Sequence, residues 1–137
     1  MLLRGPMGVG KSTFARALLI ALKIEQPPEG SPSFAIVHEY HSPGGGVAHM
    51  DLFRLQSEQE VEEAGLSSYL WERSLIVITE WSNSWPEFEA EVLKSTSSST
   101  GEFRAWCVDL AFHSPLAPLA PLASVPETMR DVRVEVV

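Results

Sequence analysis

The first quarter of the chain carries a helical pattern of apolar positions behind a glycine-rich loop. Apolar residues recur at every fourth position after the loop, which places them on one face of a helix: Phe14, Leu18 and Leu22. The spacing predicts a helix over residues 11–24, which Pro27 and Pro28 end. Leu2-Leu3, before the loop, has the apolar character of a short strand. The pattern therefore predicts a strand stub, a tight loop and a helix in that order.

The next apolar stretches are typical of paired strands. Residues 34–40, FAIVHEY, are rich in aromatic and β-branched side chains, and residues 47–53, VAHMDLF, follow a run of three glycines. Together they predict a β-hairpin with a loose turn. A second helix is predicted over residues 57–64, where four glutamates indicate a solvated face.

The second half of the chain contains three further strand-like patterns. Residues 75–79, LIVIT, are a continuous apolar run, typical of a strand buried on both faces, and the run ends at Glu80. Residues 87–93, EFEAEVL, alternate apolar and acidic side chains, which predicts an antiparallel strand with one face in water. Residues 103–112, FRAWCVDLAF, predict the strand that pairs with it. The two would form an antiparallel hairpin added to a partly parallel sheet.

The composition changes near the C-terminus and suggests where the domain ends. PLAPLAPLA repeats a three-residue unit, and prolines at this density favour an extended segment without a core of its own. We therefore expect a folded domain over residues 1–113, a Pro/Ala-rich linker or loop over 114–126, and a short strand or tail over 127–137.

Overall composition narrows the class of protein. With 137 residues, 45% of them apolar but in no run of about 18, the chain fits one domain without a membrane span. The N-terminus lacks the pattern of a signal peptide, so a cytoplasmic location is expected. A lone cysteine, Cys107, excludes an internal disulfide framework. The formal charge of -8 disfavours nonspecific attraction to nucleic acid.

The loop itself carries the clearest chemistry. Residues 5–12, GPMGVGKS, match G-x-x-x-x-G-K-[ST], a phosphate-binding loop, in the expected context before a helix. Glycines let successive N–H groups converge on phosphate oxygens, while the helix N-terminus favours the same anion. Lys11 would reach the β- and γ-phosphates, and Ser12 would offer its hydroxyl to Mg²⁺. The predicted nucleotide-binding residues of the loop are Gly8, Val9, Gly10, Lys11, Ser12 and Thr13.

Two carboxylates follow predicted strands. Glu80 ends the buried strand, where P-loop proteins place the acid that holds Mg²⁺ or orients the attacking water. Asp51 follows another strand, although an aspartate there is also typical of a turn or cap. Because the sequence contains no N-K-x-D element for guanine, adenine is the expected base.

Five ordered segments resemble the TsaE family of bacterial tRNA threonylcarbamoyladenosine biosynthesis ATPases. They are GPMGVGKST, SPSF, HEY, HMDLFRL and ITEW. The resemblance covers about residues 2–112 and implies an α/β fold, a P-loop NTPase-like mixed sheet with an antiparallel C-terminal hairpin. It also implies an ATP- and Mg²⁺-dependent ATPase that acts with TsaB and TsaD proteins in modifying adenosine 37 of ANN-decoding tRNAs. Contact with tRNA would then be indirect, through the complex, and no membrane is involved.

The resemblance also assigns roles to individual residues. Ser12 stands where the family often has a Mg²⁺-binding threonine, and Ser33 takes the place of a threonine near the γ-phosphate. Asp51 and Glu80 align with the acidic residues near Mg²⁺ and the hydrolytic water. Trp81 aligns with a tryptophan linked to the nucleotide site.

Two features depart from the family pattern and keep alternatives open. Family members usually have about two dozen residues before the glycine loop, whereas here only MLLR precedes it, so the first helix and most of the first strand are expected to be missing. The Pro/Ala-rich segment is also foreign to the pattern. Two alternatives therefore remain: a nucleotide-binding partner module without turnover, and a small-molecule kinase, for which Arg54 and Arg73 are the nearby arginines.

Overall fold

The computed structural model describes residues 1–71, 75–96, 104–112 and 130–136. Strands in these ranges are β1 (Leu2–Arg4), β2 (Val37–Ser42), β3 (Gly45–Asp51), β4 (Leu75–Glu80), β5 (Trp106–Phe112) and β6 (Arg130–Val136). The helices are α1 (Lys11–Ala21), α2 (Glu58–Glu63), α3 (Leu66–Trp71) and α4 (Pro86–Thr96), and Ser82–Ser84 form a 3₁₀ turn.

The strands form one mixed sheet in the order β2-β3-β4-β1-β5-β6. β1 is parallel to both of its neighbours, β4 and β5, and β3 is parallel to β4. Antiparallel hairpins occupy the two ends, β2 with β3 and β5 with β6. The predicted fold class, an α/β mixed sheet with an antiparallel C-terminal hairpin, is confirmed.

The sheet separates two hydrophobic cores. On one face α1 covers a cluster that includes Leu3, Val47 and Ile78. On the other face α2, α3 and α4 cover a larger cluster that includes Leu2 and Met50. Because successive strand residues point to opposite faces, Leu2 and Leu3 serve one core each. The short β1 therefore lies at the centre of the molecule, and its two leucines are almost fully buried.

Helix α1 follows the predicted pattern with a shifted face. It ends at Ala21 rather than at residue 24, and its fully buried apolar residues are Ala15 and Leu19. The side chains predicted to face the core, Phe14, Leu18 and Leu22, are only partly buried and pack against the cluster that contains Ala15 and Leu19.

The predicted strand over residues 87–93 is wrong, because this segment belongs to helix α4. Phe88 and Val92 are both buried, and their i, i+4 spacing fits one helical face as well as it fits alternation. Pro86 opens the helix, as proline often does at a first helical position. Strand β5 therefore pairs with β6, which lies in the predicted tail, rather than with residues 87–93.

The first hairpin is confirmed in outline but differs at its ends. β2 begins at Val37 rather than at residue 34, since Ile36 adopts a left-handed conformation with φ 65°. Ser42 pairs with Gly45, so the turn is a tight one of two residues, Pro43 and Gly44, instead of a loose one. The second predicted helix is confirmed as α2, with Ser57 accepting a hydrogen bond from the Glu60 N–H as its cap.

None of the helices in the described ranges reaches the length and apolarity that crossing a bilayer demands. The Pro/Ala-rich segment 114–126 lies outside the described residues, and so does Arg73.

Candidate functional site

The glycine loop joins the central strand β1 to helix α1. Gly5 lies so close to β5 that a Cβ there would stand 2.4 Å from the Leu110 carbonyl oxygen. Gly10 is the N-cap of α1 with φ 107°, and no side chain caps the helix. The first N–H groups of α1 therefore have no side-chain acceptor at the cap and remain available to an anion.

Lys11, the first residue of α1, is folded back onto its own loop. Its Nζ donates to the carbonyl oxygens of Gly5 at 2.8 Å and Pro6 at 2.9 Å. It also lies 3.4 Å from the centroid of the Trp81 ring, a cation–π contact. Burial lowers the pKa of Lys11, although the carboxylates of Glu80 and Asp51 act in the opposite direction.

Glu80 ends β4 beside the loop and is almost fully buried. Its Oε2 accepts a hydrogen bond of 2.9 Å from the Ser12 hydroxyl, and its Oε1 lies 2.8 Å from Nε2 of His49. β4 is parallel to β1 and β3, so its carboxyl end lies at the edge of the sheet where the loop begins. The topology therefore brings a strand-end carboxylate to the first turn of α1.

Asp51 ends the neighbouring strand β3, opposite Glu80 in the register. Its Oδ2 accepts hydrogen bonds from the hydroxyls of Ser31 and Ser33, the latter at 2.6 Å. Its Oδ1 accepts one of 2.9 Å from the Phe53 N–H. The segment before β2 is thereby tied to the end of β3.

These groups surround one open cleft of about 370 Å³. It is lined by Met7, Gly8, Gly10, Lys11, Ser12, Thr13, Ser31, Ser33, Asp51, Phe53, Glu80 and Trp81. Two carboxylates face a single ammonium among these lining groups. A phosphate chain entering the cleft therefore needs a cation besides Lys11 to balance its charge.

The cleft collects nearly all of the residues predicted from the sequence. Val9 is the exception, since its side chain is buried in the core under α1. Its backbone carbonyl nevertheless accepts a hydrogen bond of 3.2 Å from Nε of Arg130 in β6. Arg54, named for the kinase alternative, lies outside the lining with its guanidinium 3.8 Å from the Phe34 ring centroid.

Four residues at or beside the cleft were not predicted as site residues. Ser31 precedes Ser33 by two positions and holds the same carboxylate, which the SPSF segment alone does not reveal. Phe53 packs against Trp81 with ring centroids 4.9 Å apart, and Met7 stands at the rim. His49 had a usable signal, because it shares a strand face with Asp51 two residues later.

The donor set fits a magnesium ion shared with a ligand. Ser12, Asp51 and Glu80 offer one hydroxyl and two carboxylates, which are oxygen ligands of the kind Mg²⁺ prefers. Among the described residues, no group of three or more His, Cys, Asp or Glu side chains could hold a metal by itself.

Comparison with known proteins places the chain in a family. A sequence model described as "Threonylcarbamoyl adenosine biosynthesis protein TsaE" matches residues 1–104. The chain belongs to the TsaE family. The match includes the glycine loop and both strand-end carboxylates, whereas β5 and β6 lie beyond it.

Curated TsaE relatives, each named tRNA threonylcarbamoyladenosine biosynthesis protein TsaE, align with parts of the chain. The protein of Aquifex aeolicus (strain VF5) is 46% identical over 54 residues, which are 39% of this chain and 41% of that protein. The protein of Haemophilus influenzae is 36% identical over 80 residues, covering 58% and 49% respectively. The protein of Nostoc sp. is 38% identical over 90 residues, covering 63% and 54%. This TsaE family member thus spans about half the length of the curated relatives it matches.

Proposed function

We propose that this chain is an ATP-binding, Mg²⁺-dependent ATPase subunit needed for threonylcarbamoyladenosine formation at adenosine 37 of ANN-decoding tRNAs. It acts with TsaB and TsaD proteins and reaches tRNA only through that complex. Family membership supports the pathway. The observation that carries the nucleotide chemistry is the convergence of Lys11, Ser12, Asp51 and Glu80 in one cleft at the start of α1.

The loop and Lys11 bind the phosphates in this proposal. The uncapped N–H groups of α1 donate hydrogen bonds to phosphate oxygens. Lys11 leaves the carbonyl oxygens of Gly5 and Pro6 and binds the β- and γ-phosphates instead. This exchange is favourable because a carbonyl dipole is a weaker partner for an ammonium than a phosphate charge.

The carboxylates divide the remaining work. Ser12 and Glu80, already in contact, would hold Mg²⁺, and the ion would supply positive charge to offset the negative charge of the phosphoryl group. Asp51, held by Ser33 at the same end of the cleft, accepts a hydrogen bond from the attacking water and orients it. Trp81 and Phe53 pack together in the lining of the cleft beside Lys11, where they would limit the access of bulk water to a bound nucleotide.

Partner docking has support at the rim of the cleft. Phe34 is 86% exposed, next to Ser33, and Met7 is 62% exposed. Exposed apolar side chains next to a functional cleft are suited to contact with a partner protein. A partner seated there would sense the segment that holds Asp51.

Calorimetric titration with Mg-ATP tests the nucleotide site. We expect the parent chain to bind and Lys11→Met to weaken binding at least about tenfold, a loss of about 1.4 kcal/mol. Glu80→Gln should lower turnover by about 10²-fold while retaining nucleotide binding without metal. Lys23→Met is the matched control, because it removes the same charge from an exposed position just beyond α1.

The alternatives give different outcomes. A parent chain that fails to bind Mg-ATP, or equal turnover in the parent and Glu80→Gln proteins, contradicts the ATPase proposal. Association with TsaB and TsaD that is indifferent to nucleotide, without hydrolysis, identifies a binding module. Transfer of phosphate to a metabolite instead of water identifies a kinase.

A further inference from the structure

His49 is a polar residue at an otherwise apolar position of β3. It lies between Val47 and Asp51 on the face of the sheet that α1 covers, and it pairs with Ile78 of β4. Only 1% of its surface is exposed. A buried imidazole in such surroundings needs a hydrogen-bond partner to offset its loss of water.

Glu80 is that partner, and each oxygen of its carboxylate contacts a different residue. Nε2 of His49 lies 2.8 Å from Oε1, whereas the Ser12 hydroxyl donates to Oε2 at 2.9 Å. The bond to a carboxylate requires the His49 proton on Nε2. One oxygen of Glu80 is thus bound by the His49 side chain of β3, and the other by Ser12 at the start of α1.

The contact with His49 restricts the orientation of the Glu80 carboxylate. A glutamate side chain has three rotatable bonds, and a carboxylate held at one oxygen loses the freedom to turn the other away from Ser12. In metal sites, groups that hydrogen-bond to a ligand in this way fix its direction, and their removal typically weakens metal affinity about 10–100-fold.

We propose that His49 is a positioning residue that holds the Glu80 carboxylate for Mg²⁺ binding together with Ser12. The inference rests on the proposed function, since it assigns His49 a part in the metal site of the nucleotide cleft. His49 itself touches neither the metal nor the nucleotide. It acts through Oε1 of Glu80 and leaves Oε2 directed at the loop.

Four variants separate positioning from simple packing. His49→Gln keeps an N–H donor at nearly the distance of Nε2 from the backbone, while His49→Asn keeps an amide that falls short of Glu80. His49→Ala removes the side chain. Val47→Ala is the matched control, because Val47 is buried on the same face two residues earlier and its side chain has no hydrogen-bonding group.

The measurement is Mn²⁺ affinity in the presence of saturating ADP, read from the electron paramagnetic resonance signal of free Mn²⁺. We expect Kd to rise about 10–100-fold in His49→Ala and His49→Asn, and to stay within about threefold of the parent in His49→Gln. Val47→Ala should keep the parent Kd although its Tm falls. ADP affinity in EDTA should be unchanged in all four. If His49→Ala does not fold, the Gln and Asn pair carries the same comparison.

Two results would overturn the inference. Equal Mn²⁺ affinity in the parent, Gln and Asn proteins shows that the contact does not position Glu80, and it leaves the proposed function standing. Absence of Mn²⁺ binding by the parent with ADP present overturns the proposed metal site and the role of His49 together.

Discussion

Unusual backbone conformations at single residues shape the cleft. Trp81 follows Glu80 with φ 65°, and Ile36, whose carbonyl accepts the Asp51 N–H at 2.9 Å, has the same value. Left-handed conformations are costly for bulky or β-branched side chains. Trp81 thus directly follows one carboxylate residue of the cleft, and Ile36 is hydrogen-bonded to the other. The strained conformations thus lie just before β2 and just after β4, where the chain borders the cleft.

The close approach of Gly5 to β5 predicts that a side chain at this position destabilises the protein. A methyl group there would meet the Leu110 carbonyl at 2.4 Å, and its φ of 137° disfavours any side chain. We expect Gly5→Ala to lower the free energy of unfolding by about 2 kcal/mol or more. Urea denaturation measures the change.

Gly44→Ala is the control for that experiment. A Cβ at Gly44 would meet only the Ser42 hydroxyl oxygen at an ordinary 3.7 Å, so the change should stay within about 0.5 kcal/mol. Equal losses in the two variants would show that close approach to β5 does not explain Gly5.

Helix α4 and the central strand β1 are joined by an ion pair. The guanidinium of Arg4 contacts the Glu89 carboxylate and lies 3.8 Å from that of Asp109 in β5. Arg4 and Glu89 are both largely buried. A charged pair shielded from water in this way couples the position of the helix to the strand that leads into the glycine loop.

Removing one partner of the pair should therefore destabilise the protein. We expect Glu89→Ala to lower the free energy of unfolding by about 1–3 kcal/mol, because Arg4 keeps its burial and loses its nearest carboxylate. Glu87→Ala, at an exposed position in the same first turn, should change it by less than about 0.5 kcal/mol. Thermal unfolding of both variants makes the comparison, and matching Tm values would contradict a stabilising role for the pair.

At the scale of the whole molecule, the two cores meet at the central strands. Cys107 of β5 pairs with Leu2 of β1 and Glu135 of β6, and it is 1% exposed. Burial raises the pKa of its thiol above the ordinary 9.0, although the Arg4 charge opposes the shift. The folded protein therefore keeps a proton that the unfolded chain loses at lower pH.

This difference predicts how stability depends on pH. The stabilisation from the protonated thiol is complete below about pH 9 and is lost as pH rises through the folded pKa, with a slope of up to about 1.4 kcal/mol per pH unit. Stability of the parent should fall more steeply above pH 9 than that of Cys107→Ala. Burial also raises the pKa of Tyr40, but that residue is present in both proteins. Parallel curves from urea denaturation between pH 8 and 10.5 would contradict the prediction.

Several elements could be predicted because their signal is local. The glycine loop, the helix after it and the apolar run that ends at Glu80 each have a pattern fixed by neighbouring residues. Residues 87–93 could not be assigned in the same way, since Phe88 and Val92 satisfy both periodicities. Burial against Trp85 and Leu2 in one core, which involves distant parts of the chain, selects the helix.

The residue types of the cleft could be predicted from local sequence patterns: a glycine loop of the form G-x-x-x-x-G-K-[ST], a hydroxyl at Ser12 and carboxylates at the ends of two strands. How these groups are held depends on the pairing of the strands. Parallel pairing of β3, β4 and β1 brings Asp51, Glu80 and the loop to one edge, and the same pairing places His49 within hydrogen-bonding distance of Glu80. A motif can be identified from the spacing of neighbouring residues. The contact between His49 and Glu80, which are 31 positions apart, depends instead on the register between strands.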